Sequence, residues 1–140
     1  MSLITDPSLI FVMLAHVFLI LSLYIVLVTR KAKAIKEGRV DLQKTALDDK
    51  QWPSEVVQVN NNINNNFQTP VLFYVVCLSA MLSGQSGGLM YWFAVAFISL
   101  RFGHTIVHIT SNYIPLRMPL FAGSLVALLS MVITLLARLL

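Results

Sequence analysis

Hydrophobic and polar positions alternate along this chain in long blocks. An apolar run from about Pro7 to Thr29 is followed by the one extended polar stretch, "RKAKAIKEGRVDLQKTALDDKQWPSE". A second run opens in "VNNNINNNF" and continues through "QTPVLFYVVCLSAML" to Ser83, where "SGQSGG" supplies turn chemistry. A third extends from Leu89 to Thr110, "SNYIPLRMP" forms a proline-punctuated connection, and the fourth contains "LFAGSLVALLSMVITLLARLL". Crossing about 30 Å of hydrocarbon at about 1.5 Å per residue takes roughly 20 apolar residues. The pattern therefore predicts an all-α integral membrane four-helix bundle, with spans at about 7–29, 61–83, 89–110 and 118–138 and a basic loop over 30–58. The short "SGQSGG" connection predicts antiparallel neighbours, and Pro70 predicts a kink in the second helix.

Composition strengthens this reading. Of 140 residues, 57% are hydrophobic and only 11% charged, with a mean hydropathy of +0.78, too apolar for an ordinary soluble domain. No Lys or Arg precedes the first run, and it is followed by a basic cluster, so it reads as a retained span and not a signal peptide. The formal charge of +4 comes mostly from Arg30, Lys31, Lys33, Lys36, Arg39, Lys44 and Lys50. Basic residues between spans mark the cytoplasmic side, and with an even number of spans both termini are then expected on the periplasmic or outer side. Nucleic acid is not an expected partner: Glu37, Asp41, Asp48, Asp49 and Glu55 share the loop, and no aromatics alternate with its bases. Cys77 is the sole cysteine, so it forms no intrachain disulfide and is expected to serve packing.

Four residues break the apolar pattern of the third span. An arginine near the middle of a membrane helix costs roughly 2.5–3.5 kcal/mol on insertion scales, so Arg101 is expected to face protein or water. His104, Thr105 and His108 follow at spacings that put all four on one helix face. Asn61, Asn65 and Gln68, with Asn64 beside Gln68, make a second amide stripe that is either interfacial or turned toward the third helix. Its simplest structural alternative is a polar helix start satisfying orphan backbone donors; for the third helix it is a network holding helices together. "HTIVH" has two-ligand metal spacing, but no span contains a carboxylate to complete a site, so no metal is expected. His16 reads as a neutral core histidine. Gly-rich phosphate loops, nucleophile elbows and paired intramembrane carboxylates are missing from the sequence, which disfavours several enzyme classes.

Taken together, "NNNFQTPVLF" opening the second span, "RFGHT" in the third and "PLR" after it resemble the membrane-associated proteins in eicosanoid and glutathione metabolism, the MAPEG family. "KEGRVD" and "WPSEVVQVNNNINNNFQTPVLFY" look most like its bacterial branch. The resemblance implies a homotrimer of four-helix subunits in a bacterial inner membrane, in contact with lipid and with glutathione bound between subunits near the cytoplasmic face. It implies binding roles for Asn65, Arg101 and His104, a thiol-activating role for Arg117, and a further basic ligand at Arg30. Asn61, Asn64, Gln68 and His108 complete the implied set, although Asn64 stands where catalytic members often have arginine, Gln68 where they have glutamate and His108 where they have tyrosine. The implied activity is a glutathione-dependent transferase or peroxidase acting on a lipophilic substrate. Arg117 and Arg101 would stabilise the thiolate and His108 would donate or relay a proton. The alternative expectation is a non-enzymatic lipid-binding or scaffold subunit, which suits neutral amides at positions 64 and 68. A proton path through Arg101, His104 and His108 is a third possibility, but the spans offer no carboxylate to extend it.

Overall fold

The computed structural model describes residues 8–140, so the expected start of the first span at Pro7 lies outside the described residues. Helices α1 (Ser8–Lys36), α2 (Leu42–Thr45), α3 (Ser54–Gln68), α4 (Pro70–Leu82), α5 (Leu89–Ile109) and α6 (Ile114–Leu139) follow in order, with no strand among the described residues. Three of them, α1, α5 and α6, are long and apolar enough to cross a membrane. Their outer faces carry Phe11, Phe18, Ile25 and Val28 on α1 and Val126, Leu129, Ile133 and Leu136 on α6, all exposed. In water these surfaces would be a liability; against acyl chains they are at home.

The first helix continues two turns past Thr29 through "RKAKAIK". Lys, Arg and Ala are strong helix formers, and Lys33 and Lys36 complement the negative end of the helix dipole. Termination comes at Gly38, whose φ of +67° suits a residue without Cβ. Its N–H donates to the Ile35 carbonyl and that of Arg39 to Ala34, a Schellman ending. The remaining loop is ordered by aspartates: Asp41 caps α2 through the Gln43 and Lys44 N–H groups, and Asp48 caps a 3-10 turn over Asp49–Gln51. Trp52 lies under the Lys31 ammonium, 4.5 Å from ring centroid to Nζ.

Helix α3 begins at Ser54, seven residues before the expected start of the second span, because Pro53 pre-sets the N-cap and Glu55 suits the positive first turn. At Pro70 the helix ladder loses an N–H, so α3 and α4 are separate helices joined through Thr69, which itself keeps helical dihedrals. The main core gathers Phe73, Cys77, Met90, Phe97 and Met131, with Phe73 and Phe97 stacked at 4.5 Å. A smaller core of Leu23, Leu27, Val56, Val59 and Ile63 joins α1 to α3. Cys77 is a free thiol inside the main core. Arginines fasten both ends of the assembly. Arg30 donates to the Glu55 and Ile109 carbonyls, each at 2.7 Å, and Arg138 donates to those of Gln85 and Gly87, each at 3.1 Å.

Candidate functional site

Arg101, His104, Thr105 and His108 all turn inward from α5, as their spacing requires. Arg101 is wholly buried, with its guanidinium carbon 4.9 Å from the Phe121 ring centre and 5.4 Å from that of Phe97. None of its three nitrogens has a hydrogen-bond partner among the described residues, nor has His104 Nδ1. Aromatic faces therefore supply the observed contacts of this cation, through their quadrupoles. Arg101 thus faces protein, as expected, but no hydrogen bond joins it to the asparagines of α3.

Of the two placements expected for the amide stripe, interfacial or turned toward the third span, the inward one is taken by other asparagines. Asn61, Asn64 and Gln68 are exposed and Asn65 is half-buried, whereas Asn62 and Asn66 point into the protein. The apolar residues decide this: Val56, Val59 and Ile63 are buried at spacings of three and four, and the next positions on their face are Asn66 and Pro70. A helix cannot bury that row and also aim Asn61 and Asn65 at α5. Inside, Asn66 Nδ2 donates to the Asn62 carbonyl at 2.9 Å, to Asn62 Oδ1 at 3.1 Å and to Thr105 Oγ1 at 3.3 Å. Thr105 Oγ1 donates to Asn62 Oδ1 at 3.2 Å. Asn62 Nδ2 lies 3.0 Å from His108 Nδ1, Asn66 Oδ1 lies 3.2 Å from His16 Nε2, and His16 Nδ1 lies 2.7 Å from the Tyr74 hydroxyl. His16 is thus a buried histidine held by hydrogen bonds, as expected of a core position.

Beside this network a cavity of about 420 Å³ opens where α3, the loop and the α5–α6 connection meet. Its polar wall includes Lys50, Gln58, Asn61, His108, Asn112 and Arg117, and no carboxylate lines it. Arg117 projects from the first turn of α6 and donates to Asn112 Oδ1, Asn112 itself being in the left-handed region at φ +52°. Arg117, from the first turn of α6, and Lys50, from the loop, share a wall without a carboxylate among its lining residues, which favours an anion there.

The residues singled out by sequence separate into groups. Asn61, His108 and Arg117 share the cavity. Arg101 and His104 are buried outside its wall. Arg30 is committed to two backbone carbonyls, Asn64 and Gln68 are exposed on α3, and Asn65 is half-buried. His104 and His108 stand edge to face at 5.4 Å, and no cluster of three metal-ligating side chains occurs among the described residues. Sequence reasoning passed over Asn62, Asn66 and Tyr74, which the apolar register of α3 could have revealed, and Lys50 and Asn112, which only the folded loops bring to the cavity.

A family model described as "MAPEG family" matches residues 8–137. Searches of curated proteins and of solved structures return no significant match.

Proposed function

The chain belongs to the MAPEG family of membrane proteins, and from that premise we propose that it is a glutathione-dependent transferase or peroxidase acting on a lipophilic substrate delivered by the bilayer. The observation that carries this reading is the shared cavity of Arg117, Lys50, His108 and Asn61, cationic and free of carboxylates in its wall. Its volume falls in the range of small-molecule sites. A tripeptide with two carboxylates and an ionisable thiol fits such a wall, because anions gain most from paired cations and N–H donors. Glutathione would supply the nucleophilic sulfur. Arg117 and Lys50 would hold its anionic groups, and the Arg117 guanidinium would favour loss of the thiol proton. The ammonium end would meet neutral amides, Asn61 and Gln58, in place of a carboxylate.

This reading includes an assembly. Asn64 and Gln68 are exposed amides on α3, with Asn65 half-buried between them, and such groups are costly against acyl chains. A homotrimer in which a neighbouring copy covers them removes that cost. In the same reading α3 and α4 act together as a fourth, kinked span, the basic loop faces the cytoplasm, and both termini lie on the periplasmic side of a bacterial inner membrane.

The test is a calorimetric titration of the detergent-solubilised protein with glutathione. Saturable binding at millimolar concentration or below is expected. No heat up to cytoplasmic concentrations overturns the enzyme reading and favours the lipid-binding or scaffold subunit.

A further inference from the structure

The buried network has a direction, and one atom fixes it. The backbone carbonyl of Asn62 can only accept, so the Asn66 side-chain atom 2.9 Å away is its Nδ2. Asn66 Oδ1 therefore faces His16 Nε2, which must carry the ring proton, and His16 Nδ1 accepts from the Tyr74 hydroxyl. On the other side Asn66 Nδ2 also meets Asn62 Oδ1, which turns the Asn62 NH2 group toward His108 Nδ1. That nitrogen accepts, so the proton of neutral His108 sits on Nε2. Every link, from Tyr74 through His16, Asn66 and Asn62 to His108, donates in the same sense, an arrangement in which each bond polarises the next.

We infer that Asn62 and Asn66 are positioning residues that hold His108 in its Nε2–H form, so that it presents an N–H donor, and no lone pair, to the anion cavity it lines. Two side-chain amides interrupt the chain, and an amide cannot hand on a proton without becoming an imidic acid. The network therefore orients His108 and does not conduct. The groups that His108 serves are acceptors: a thiolate sulfur or a carboxylate oxygen. This last step rests on the proposed function, whereas the tautomer itself does not.

The experiment is ring-nitrogen NMR of ligand-free protein labelled with 15N-histidine, in lipid bilayers above neutral pH, with a His108→Gln variant assigning the His108 signals. His108 and His16 are both expected to show a protonated Nε2 and an unprotonated Nδ1. A protonated His108 Nδ1 in the wild type overturns the inference. In Asn62→Leu the donor to His108 is gone, so its two ring signals are expected to move toward each other as both tautomers become populated. His16 should stay unchanged, because the Asn62 carbonyl still orients Asn66. Unshifted His108 signals in that variant would remove Asn62 from the positioning role. Should Asn62→Leu not fold, the wild-type spectrum alone decides the tautomer. A His108 locked as Nε2–H in a protein that fails to bind glutathione sustains this inference and sinks only the proposed function.

Discussion

Arg30 Nη2 donates to the Ile109 carbonyl at 2.7 Å, so a cation from α1 closes the last turn of α5. Its Nη1 reaches the Glu55 carbonyl in the first turn of α3 at the same distance. Three helices are thereby fastened by one side chain, with a positive charge placed at a negative helix end. Hydrogen bonds to charged groups contribute roughly 1.5–3 kcal/mol each when partly buried. Arg30→Gln is expected to lower stability by about 2 kcal/mol, read as a reduced thermal midpoint in detergent, while leaving glutathione affinity close to that of the wild type. A variant of normal stability that no longer binds glutathione would instead make Arg30 a ligand.

Arg117 is the opposite case. It takes no part in the cores, and the one side-chain partner it has is Asn112. Arg117→Ala is therefore expected to keep helical content and assembly intact while reducing turnover by roughly 100- to 1000-fold, the loss associated with one well-placed donor at a developing anion. Ultraviolet difference absorbance of the bound thiolate should disappear with it. Full turnover in this variant would remove Arg117 from the chemistry.

The third span, α5, is the most legible element. Spacing alone puts Arg101, His104, Thr105 and His108 on one face, and all four are buried. Span lengths were less so, since good helix formers carry α1 through Lys36. The amide run leaves an interfacial and an inward placement open because six asparagines offer no chemical contrast among themselves. The contrast lies in Val56, Val59 and Ile63, whose burial sets the helix rotation. The cavity was half legible. Asn61, His108 and Arg117 are chemically conspicuous, but the contributions of Lys50 and Asn112 depend on a capped loop and a left-handed turn that leave no periodic trace.

Outside the spans, Arg39 donates to Glu37 at 2.8 Å and to Glu55 at 2.7 Å. The hydrogen bond from Arg39 holds the Glu55 carboxyl below its ordinary value. A carboxyl with a depressed folded value contributes stability above its unfolded pKa and loses it as the pH falls through the folded one. Both partners are solvent-exposed, so the contribution is small and salt-sensitive. Hydrogen exchange in the segment 37–55 is expected to quicken, relative to the intrinsic rate, as the pH drops below the usual glutamate range. High salt at neutral pH should reproduce part of the effect, and Arg39→Gln should flatten the acid dependence. An acid response equal in the variant would assign it to other carboxylates, Asp48 first, whose carboxyl is held low by the Lys50 N–H.

Two glycines set the contact between α5 and α6, each receiving a leucine from the other helix. A Cβ at Gly103 would lie 3.5 and 3.6 Å from the Leu120 methyls, ordinary contact distances. At Gly123 it would meet a Leu100 methyl at 3.3 Å, so that side chain would have to give way by a few tenths of an ångström. Replacing a helix-interior glycine by alanine gains roughly 0.5–1 kcal/mol in backbone entropy. Gly103→Ala should keep that gain and raise the thermal midpoint. Gly123→Ala should spend much of it on moving Leu100 and come out near neutral. Differential scanning calorimetry of the two variants in one detergent gives the comparison. If Gly103→Ala is the less stable of the pair, the helices approach more closely at Gly103 than the Leu120 contact indicates.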